Sequence, residues 1–256
     1  IKATIKRFVD YCRAQEIELH DRNFSVRYQT NIPQQVGLAG SSGIITATLR
    51  ALMAFYGVDM PLPVQPTFVL SVEGELGIAG GLQDRVIQCY EGMVYMDFAQ
   101  EKEKIVAGLP HYDYEPMDPA LLPPIYVAYH AALSEPTEIF HNDIRGRYNR
   151  GDAHVIAAME RFAQLAEDGR QAILEGDAAW LNRLIDENFD LRNSISTLAP
   201  WQIQMVEVAR SCGASAKFAG SGGAIVGVYQ DEAMFQALTD RLTAIGLRVI
   251  KPRILP

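Results

Sequence analysis

The first residues of the chain carry apolar side chains at helical spacing. Apolar positions recur at intervals of three, four, seven and eight residues, which is the pattern of one face of an amphipathic helix. The residues on this face are Ile1, Ile5, Phe8, Val9 and Cys12. A strict alternation of apolar and polar residues follows over residues 24–28 and predicts a half-buried strand.

The remaining pattern mixes helices and strands without a regular alternation. Helical periodicity is expected over residues 44–57, 67–76, 82–90 and 231–245 and over most of residues 138–212. Strands are expected over residues 92–98, 125–130, 214–219, 224–229 and 247–250. Helices and strands that mingle in this way predict an α+β fold. Proline and turn residues concentrate in residues 110–124, so two domains are predicted, 1–118 and 119–256.

The composition argues against several kinds of partner and site. The 256 residues have a formal net charge of −8 and no long basic run, which argues against a nucleic-acid partner. No segment approaches the roughly 20 apolar residues of a membrane-spanning helix, so no membrane partner is expected. The three cysteines form no Cys-x-x-Cys pair, which favours reduced structural thiols in a cytoplasmic protein over a zinc or disulfide site.

A glycine- and serine-rich segment over residues 37–43 precedes the second predicted helix. Glycines allow a backbone to approach a ligand closely, and a helix that begins at Ser41 or Ser42 directs its first N–H groups at a bound anion. The segment is not a Walker A loop, because no Gly-Lys-Ser/Thr follows. A capped helix after a flexible loop is the alternative interpretation.

Two further segments combine glycines with chemically useful residues. Residues 217–224 place glycines between two predicted strands, where they form either a ligand-binding turn or an ordinary hairpin. Glu73 and Glu75 precede a glycine turn, and Asp84 follows it. Such carboxylates can hold Mg²⁺ or accept a proton, although solvated surface carboxylates are the commoner outcome.

The order of these segments resembles the GHMP small-molecule kinases. Pro33-x-x-x-Gly-Leu-Ala-Gly-Ser-Ser resembles their phosphate-binding loop, and Gly-Ser-Gly-Gly at 220–223 resembles their C-terminal glycine motif. Within that superfamily the chain is most similar to the glucuronokinases. The segments that carry this similarity include residues 30–33, 75–78, 81–85, 96–98, 121–124, 205–210 and 217–224.

The resemblance implies a two-lobed fold, with a ribosomal S5-like N-terminal lobe and a ferredoxin-like C-terminal lobe. It also implies ATP-dependent phosphorylation of the anomeric hydroxyl of D-glucuronate, with Asp84 as the catalytic base. Mg²⁺ would be bound by Ser42 together with Glu73, or with Glu75 in its place. The ATP phosphates would be bound by Gly37, Leu38, Ala39, Gly40, Ser41 and Ser42.

The substrate is expected to be a sugar acid, whose carboxylate calls for an arginine. Arg145, Arg147 and Arg85 are the arginines considered, and an ordinary ion pair is the alternative for Arg85. By resemblance, Gly220, Ser221 and Gly222 would lie near the substrate and the phosphates.

The superfamily's N-terminal sugar-binding motif is absent, and an N-terminal part is expected to be missing or supplied elsewhere. Alternative functions are a galactose, fucose or heptose kinase and a catalytically silent ligand sensor. The sequence leaves the oligomeric state open.

Overall fold

The computed structural model describes residues 1–32, 38–78, 80–130 and 144–254. Contacts between Cα atoms divide the chain into two compact units. The first consists mainly of Ile1–Ile32 and Ala39–Pro119, and the second mainly of Ala120–Arg253.

The first unit packs four helices around an apolar core. The helices are α1 (Lys2–Ala14), α2 (Gly40–Tyr56), α3 (Gln65–Glu75) and α4 (Gln83–Tyr90). Phe8 from α1, Leu49 from α2 and Phe68 from α3 are among its fully buried side chains. Burial of large apolar side chains such as these is the main favourable contribution to folding.

Four short strands complete the first unit. They are β1 (Met93–Asp97), β2 (Lys104–Val106), β3 (Leu109–His111) and β4 (Asp113–Met117). Strand β1 pairs antiparallel with β4, with Tyr95 opposite Glu115, and β2 pairs antiparallel with β3. The β2–β3 hairpin and β4 were not predicted, because they lie in or beside a segment rich in proline and turn residues.

The second unit is built on a four-stranded antiparallel sheet. Its strands are β5 (Ile125–His130), β6 (Lys217–Phe218), β7 (Ala224–Val228) and β8 (Leu247–Ile250), in the spatial order β6-β7-β5-β8. The first strand, β5, thus lies between β7 and the last strand, β8, and β6 pairs with β7, which is the strand order of a ferredoxin-like unit. Tyr129 lies opposite Ala224, which sets the register between β5 and β7.

The longer helices that the structure describes beside this sheet are α5 (Ala153–Glu175), α6 (Ala178–Ile195), α7 (Pro200–Ser211) and α8 (Glu232–Ala244). Aspartates cap three of them with side-chain hydrogen bonds to backbone N–H groups of the first turn. The aspartates are Asp152, Asp177 and Asp231. Tyr126 of β5 is fully buried in the core and donates a hydrogen bond of 2.9 Å to the carbonyl of Ser215.

The structure confirms the predicted α+β class and most predicted elements, but the strand predicted over residues 24–28 is wrong. These residues form no ladder with any described strand, and the side chain of Tyr28 is 60% exposed. Phe24 instead packs against Phe55 at the end of α2, with ring centroids 5.1 Å apart. Alternation alone does not make a strand, because the backbone N–H and C=O groups need a partner strand.

The cysteines are free thiols, as predicted. Burial raises the pKa of Cys89 on α4 to about 11, so this thiol stays protonated at neutral pH. Among the described residues, no helix has the length and apolar character to cross a bilayer.

Candidate active site

The predicted phosphate-binding loop ends where α2 begins. Gly37 lies outside the described residues, and Leu38 and Ala39 lead directly into the helix, which starts at Gly40. Ala39 adopts a left-handed conformation with φ 53°, and no side chain caps the helix. The first N–H groups of this 17-residue helix therefore remain available to an anion, at the positive end of the helix dipole.

Three donors form hydrogen bonds to the carbonyl oxygen of Ala39. It accepts hydrogen bonds from the Gly43 N–H at 3.1 Å, from Ser42 Oγ at 3.1 Å and from Gln88 Nε2 at 2.9 Å. Ser42 is buried, whereas Ser41 is exposed. These hydrogen bonds hold Ala39 in its left-handed conformation before the helix, and they orient the Ser42 hydroxyl.

Asp84 lies in the first turn of α4, next to the glycine turn. Its side chain is 48% exposed, and its Oδ2 lies 3.3 Å from Nη1 of Arg85. Because residues four apart share a helix face, Asp84 lies on the same side of α4 as Gln88, whose amide contacts Ala39. The structure therefore brings the predicted catalytic carboxylate and the start of α2 to one region of the first unit.

Arg85 and Glu73 form a buried ion pair. Arg85 Nε donates to Glu73 Oε2 at 2.7 Å, and its Nη2 donates to the same oxygen. Nη1 donates to the carbonyl of Gly81 at 2.8 Å. A Cβ on Gly80 would collide with this guanidinium, so a larger residue there would displace the arginine from its present position. These contacts give Arg85 a positioning role, and the predicted binding of a substrate carboxylate by Arg85 stays a prediction.

The structure separates the two glutamates that the sequence could not. Glu73 is 1% exposed and faces Arg85, beside the turn that leads to Asp84. Glu75 instead pairs with Lys6 of α1 at 2.8 Å and lies 3.8 Å from Arg7 Nη1. Glu73 therefore shares Arg85 with the predicted catalytic carboxylate, whereas the ion pairs of Glu75 are with residues of α1.

The first unit offers the side-chain oxygens of Ser42 and Glu73 as ligands for Mg²⁺. This ion is usually bound by one or two protein side chains together with phosphates of the substrate. Ser42 Oγ donates its proton to Ala39, so its oxygen lone pairs face away from that bond. Both Arg85 contacts to Glu73 go to Oε2, which leaves Oε1 outside the ion pair. Among the described residues, no cluster of three or more His, Cys, Asp or Glu forms a complete metal cage.

The two arginines of residues 145–147 have different surroundings in the second unit. Arg145 is exposed. Arg147 donates to Asp152 Oδ2 at 3.0 Å and to the carbonyl of Ile195 at 2.6 Å. Arg147 therefore ties the start of α5 to the end of α6, and a role for either arginine in binding a carboxylate remains a prediction.

The predicted glycine turn joins β6 to β7 in the second unit. Gly222 has φ +122°, and a Cβ there would collide with Gln202 Nε2, so only glycine fits. Arg192 on α6 donates from Nη1 to the carbonyl of Gly220 at 2.9 Å. Gly220, Ser221 and Gly222 thus form a fixed turn whose path is set by its neighbours.

Sequence reasoning missed several residues around these segments. Gln88 had no role assigned, although its position four residues after Asp84 is a usable signal. A cavity of about 350 Å³ lies beside the start of α4 and is lined by Gly81, Leu82, Gln83, Phe98 and Tyr112. The rings of Phe98 and Tyr112 meet edge to face with centroids 5.8 Å apart. No sequence pattern links these aromatic residues to Asp84, because they come from different elements.

Two family models match the chain. The model of the GHMP kinases N terminal domain matches residues 2–92, and the model described as GHMP kinases C terminal matches residues 170–246. Together they account for more than half of the chain. The resemblance drawn from the sequence motifs is confirmed.

Relatives and solved structures agree with these models. Glucuronokinase 1 of Arabidopsis thaliana is 46% identical over 231 residues, which are 88% of this chain and 63% of that protein. Probable glucuronokinase 2 of the same plant is 45% identical over 88% of this chain and 62% of its own length. The chain thus spans less than two thirds of either relative. A crystal structure of the Lin0012 protein from Listeria innocua shares the fold, with a TM-score of 0.81 at 16% identity over 99% of this chain and 78% of that one.

Proposed function

Since the chain belongs to the GHMP kinase family, we propose that it phosphorylates the anomeric hydroxyl of D-glucuronate with ATP, giving glucuronate 1-phosphate. The observation that carries this proposal is the near-half identity to two Arabidopsis glucuronokinases over most of the chain. The geometry of the first unit supports the proposal. Asp84, a half-exposed carboxylate, lies one helical turn before Gln88, and Gln88 donates a hydrogen bond to the residue that precedes the uncapped N-terminus of α2.

The start of α2 binds the phosphates of ATP in this proposal. Its N–H groups donate to phosphate oxygens, and the helix dipole favours their negative charge. Ala39 in its left-handed conformation directs the backbone into the helix, with its carbonyl held by Gln88 and Ser42. Gly220, Ser221 and Gly222 are proposed to contribute further contacts to substrate and phosphates.

Asp84 acts on the sugar. Its carboxylate accepts a hydrogen bond from the anomeric hydroxyl and takes the proton as the sugar oxygen bonds to the γ-phosphorus. The bond between that phosphorus and the β–γ bridging oxygen breaks, and ADP leaves with the electron pair. Arg85 keeps Asp84 beside the glycine turn through its contact at 3.3 Å and its ion pair with Glu73.

Ser42 and Glu73 are the residues that would hold Mg²⁺. When bound, the ion neutralises part of the negative charge on the phosphates of ATP. Glu73 is preferred over Glu75 because Glu75 is engaged with Lys6 and Arg7.

A substrate panel tests the proposed function. The full-length protein is assayed with ATP and, in turn, glucuronate, galactose, fucose and a heptose phosphate. Turnover with glucuronate at the highest kcat/KM supports the proposal. Preference for galactose, fucose or the heptose would assign a different sugar kinase, and binding of ATP and glucuronate without turnover would indicate a ligand sensor. Location in the cytoplasm and the lack of nucleic-acid partners stay predictions from composition.

A further inference from the structure

The cavity beside the start of α4 adjoins the proposed catalytic base. Three of its lining residues, Gly81, Leu82 and Gln83, come directly before Asp84 in the chain. Its volume of about 350 Å³ falls within the usual range of small-molecule sites, roughly 300–1,000 Å³. Because a general base must lie within hydrogen-bond reach of the proton that it takes, the molecule on which Asp84 acts binds beside this turn.

The other wall of the cavity consists of two aromatic rings that strand pairing places side by side. In the antiparallel ladder of β1 and β4, Asp97 lies opposite Asp113. Phe98 follows Asp97 and Tyr112 precedes Asp113, so the two rings lie at the same end of the ladder. Strand β1 follows α4 closely in the chain and packs against it, which brings this end of the ladder to the start of the helix.

Neighbouring contacts hold both rings in place. The N–H of Ala99 donates a hydrogen bond of 3.0 Å to Asp97 Oδ1, which fixes the backbone around Phe98. The hydroxyl of Tyr112 donates to Glu103 Oε2 at 2.8 Å. The two rings contact each other edge to face. The protein itself therefore holds the aromatic wall in position, which lowers the entropic cost of binding a ligand against it.

The lining of the cavity is suited to a sugar ring. None of the described residues that line it is charged, and the apolar ring of Phe98 is 39% exposed. A pyranose ring has apolar C–H faces and an edge of hydroxyl groups, so its face can cover an aromatic ring while its hydroxyls reach a polar group. Gln83 supplies that polar group, because its amide both donates and accepts hydrogen bonds.

We propose that this cavity receives the ring of the acceptor sugar, with a C–H face of the sugar against Phe98 and Tyr112 and a hydroxyl against the amide of Gln83. The inference rests on the proposed function, which makes the sugar the molecule that approaches Asp84. A nucleobase also stacks on aromatic rings, but it lies beyond the phosphates from the acceptor hydroxyl, whereas the cavity adjoins Asp84. The aromatic wall makes the same apolar contact with a neutral and a charged sugar, so it contributes affinity for the ring and does not recognise the carboxylate.

The test measures binding to the full-length protein by calorimetry, with glucuronate, its neutral amide glucuronamide and ADP as probes. Phe98→Ala and Tyr112→Ala each remove one ring from the cavity. Tyr28→Ala and Ile105→Ala are the controls, because they shorten an exposed aromatic and an exposed aliphatic side chain of the same unit that do not line the cavity. The Tm of every variant is compared with that of wild type.

Each variant that lacks a ring should raise the Kd for glucuronate and for glucuronamide about 3- to 10-fold and by the same factor, because an aromatic contact is lost and no charge is removed. The Kd for ADP should stay within twofold, and the controls should bind all three probes as wild type does. An unchanged Kd for both sugars in both variants overturns the proposal, as does a rise confined to glucuronate. A rise in the Kd for ADP alone assigns the cavity to the nucleobase and also overturns it.

Conservative variants separate lost binding from lost folding. If either alanine variant has a much lower Tm, Phe98→Leu and Tyr112→Leu keep apolar volume but lose the flat ring, and an unchanged Kd for both sugars in these two variants overturns the proposal. Turnover by the wild type is scored separately. If it binds glucuronate without phosphorylating it, the proposed function fails, whereas sugar binding that depends on Phe98 and Tyr112 keeps the aromatic contact. If it phosphorylates glucuronate and the variants bind both sugars normally, only the aromatic contact fails.

Discussion

The Nε2 group of Gln88 donates a hydrogen bond of 2.9 Å to the carbonyl oxygen of Ala39. This bond joins α4, which carries Asp84 one turn earlier, to the left-handed residue from which α2 begins. The side chain thus sets the position of the proposed base relative to the proposed phosphate site.

Gln88→Ala should lower kcat about fivefold, because it removes one hydrogen bond, worth about 1 kcal/mol, that positions Asp84 and Ala39. Gln88→Glu keeps the length of the side chain but adds a negative charge near the start of α2, so it should also raise the KM for ATP. Steady-state kinetics and Tm are measured on both variants. A kcat for Gln88→Ala equal to that of wild type at unchanged Tm would contradict the positioning role.

Asp84→Asn should reduce kcat by about 10²- to 10⁴-fold, the usual contribution of a positioned base. The affinity for ATP should stay within twofold, because Asp84 lies at the start of α4 and not at α2. Glu101→Gln, an exposed carboxylate of the same unit, is the matched control and should have normal kcat. Retention of turnover by Asp84→Asn would remove this residue from the mechanism.

Arg85→Met should lower the free energy of unfolding by about 3–5 kcal/mol, because Glu73 would remain as an uncompensated buried charge. The double variant Arg85→Met with Glu73→Leu should recover most of that loss, since it removes both charges. Urea denaturation measures the three proteins. If the single variant is as stable as wild type, the ion pair does not stabilise the fold.

The sequence predicts the chemistry-bearing segments well, because glycine turns and helix starts are local features. It does not separate Glu73 from Glu75, which sit two residues apart on α3 and face different neighbours, Arg85 and Lys6. That distinction depends on how α3 packs against α1 and α4, which is tertiary information.

The incorrect prediction of a strand at residues 24–28 also arises because tertiary packing cannot be inferred from the local pattern. Its alternation is real, but Phe24 packs against the end of α2 and no described strand pairs with the segment. Likewise Phe98 and Tyr112 come from different segments of the chain, and only the pairing of β1 with β4 places both rings at one cavity.

Gly43→Ala should raise the free energy of unfolding by about 0.5–1 kcal/mol, because glycine inside a helix costs conformational entropy. A Cβ at this position would lie 3.6 Å from Gln88 Nε2 and 3.7 Å from Ile32 Cδ1, both ordinary contacts. Gly57→Ala is the matched control at the other end of α2, where φ +67° disfavours alanine, and it should destabilise. Urea denaturation distinguishes the two, and equal effects would contradict the argument.

Asp152 links the stability of the second unit to pH. The hydrogen bond from Arg147, together with those from the N–H groups of His154 and Val155, lowers the pKa of the Asp152 carboxyl below its ordinary value of 3.8. A lowered pKa means that the folded state favours the charged form, so this contribution to stability is present above about pH 4 and is lost as the pH falls through the folded pKa. Asp152→Asn keeps a capping side chain but loses the charge. The difference in unfolding free energy between wild type and Asp152→Asn should therefore be largest near pH 7 and shrink between pH 4 and pH 2, and a difference that is constant over that range would refute the linkage.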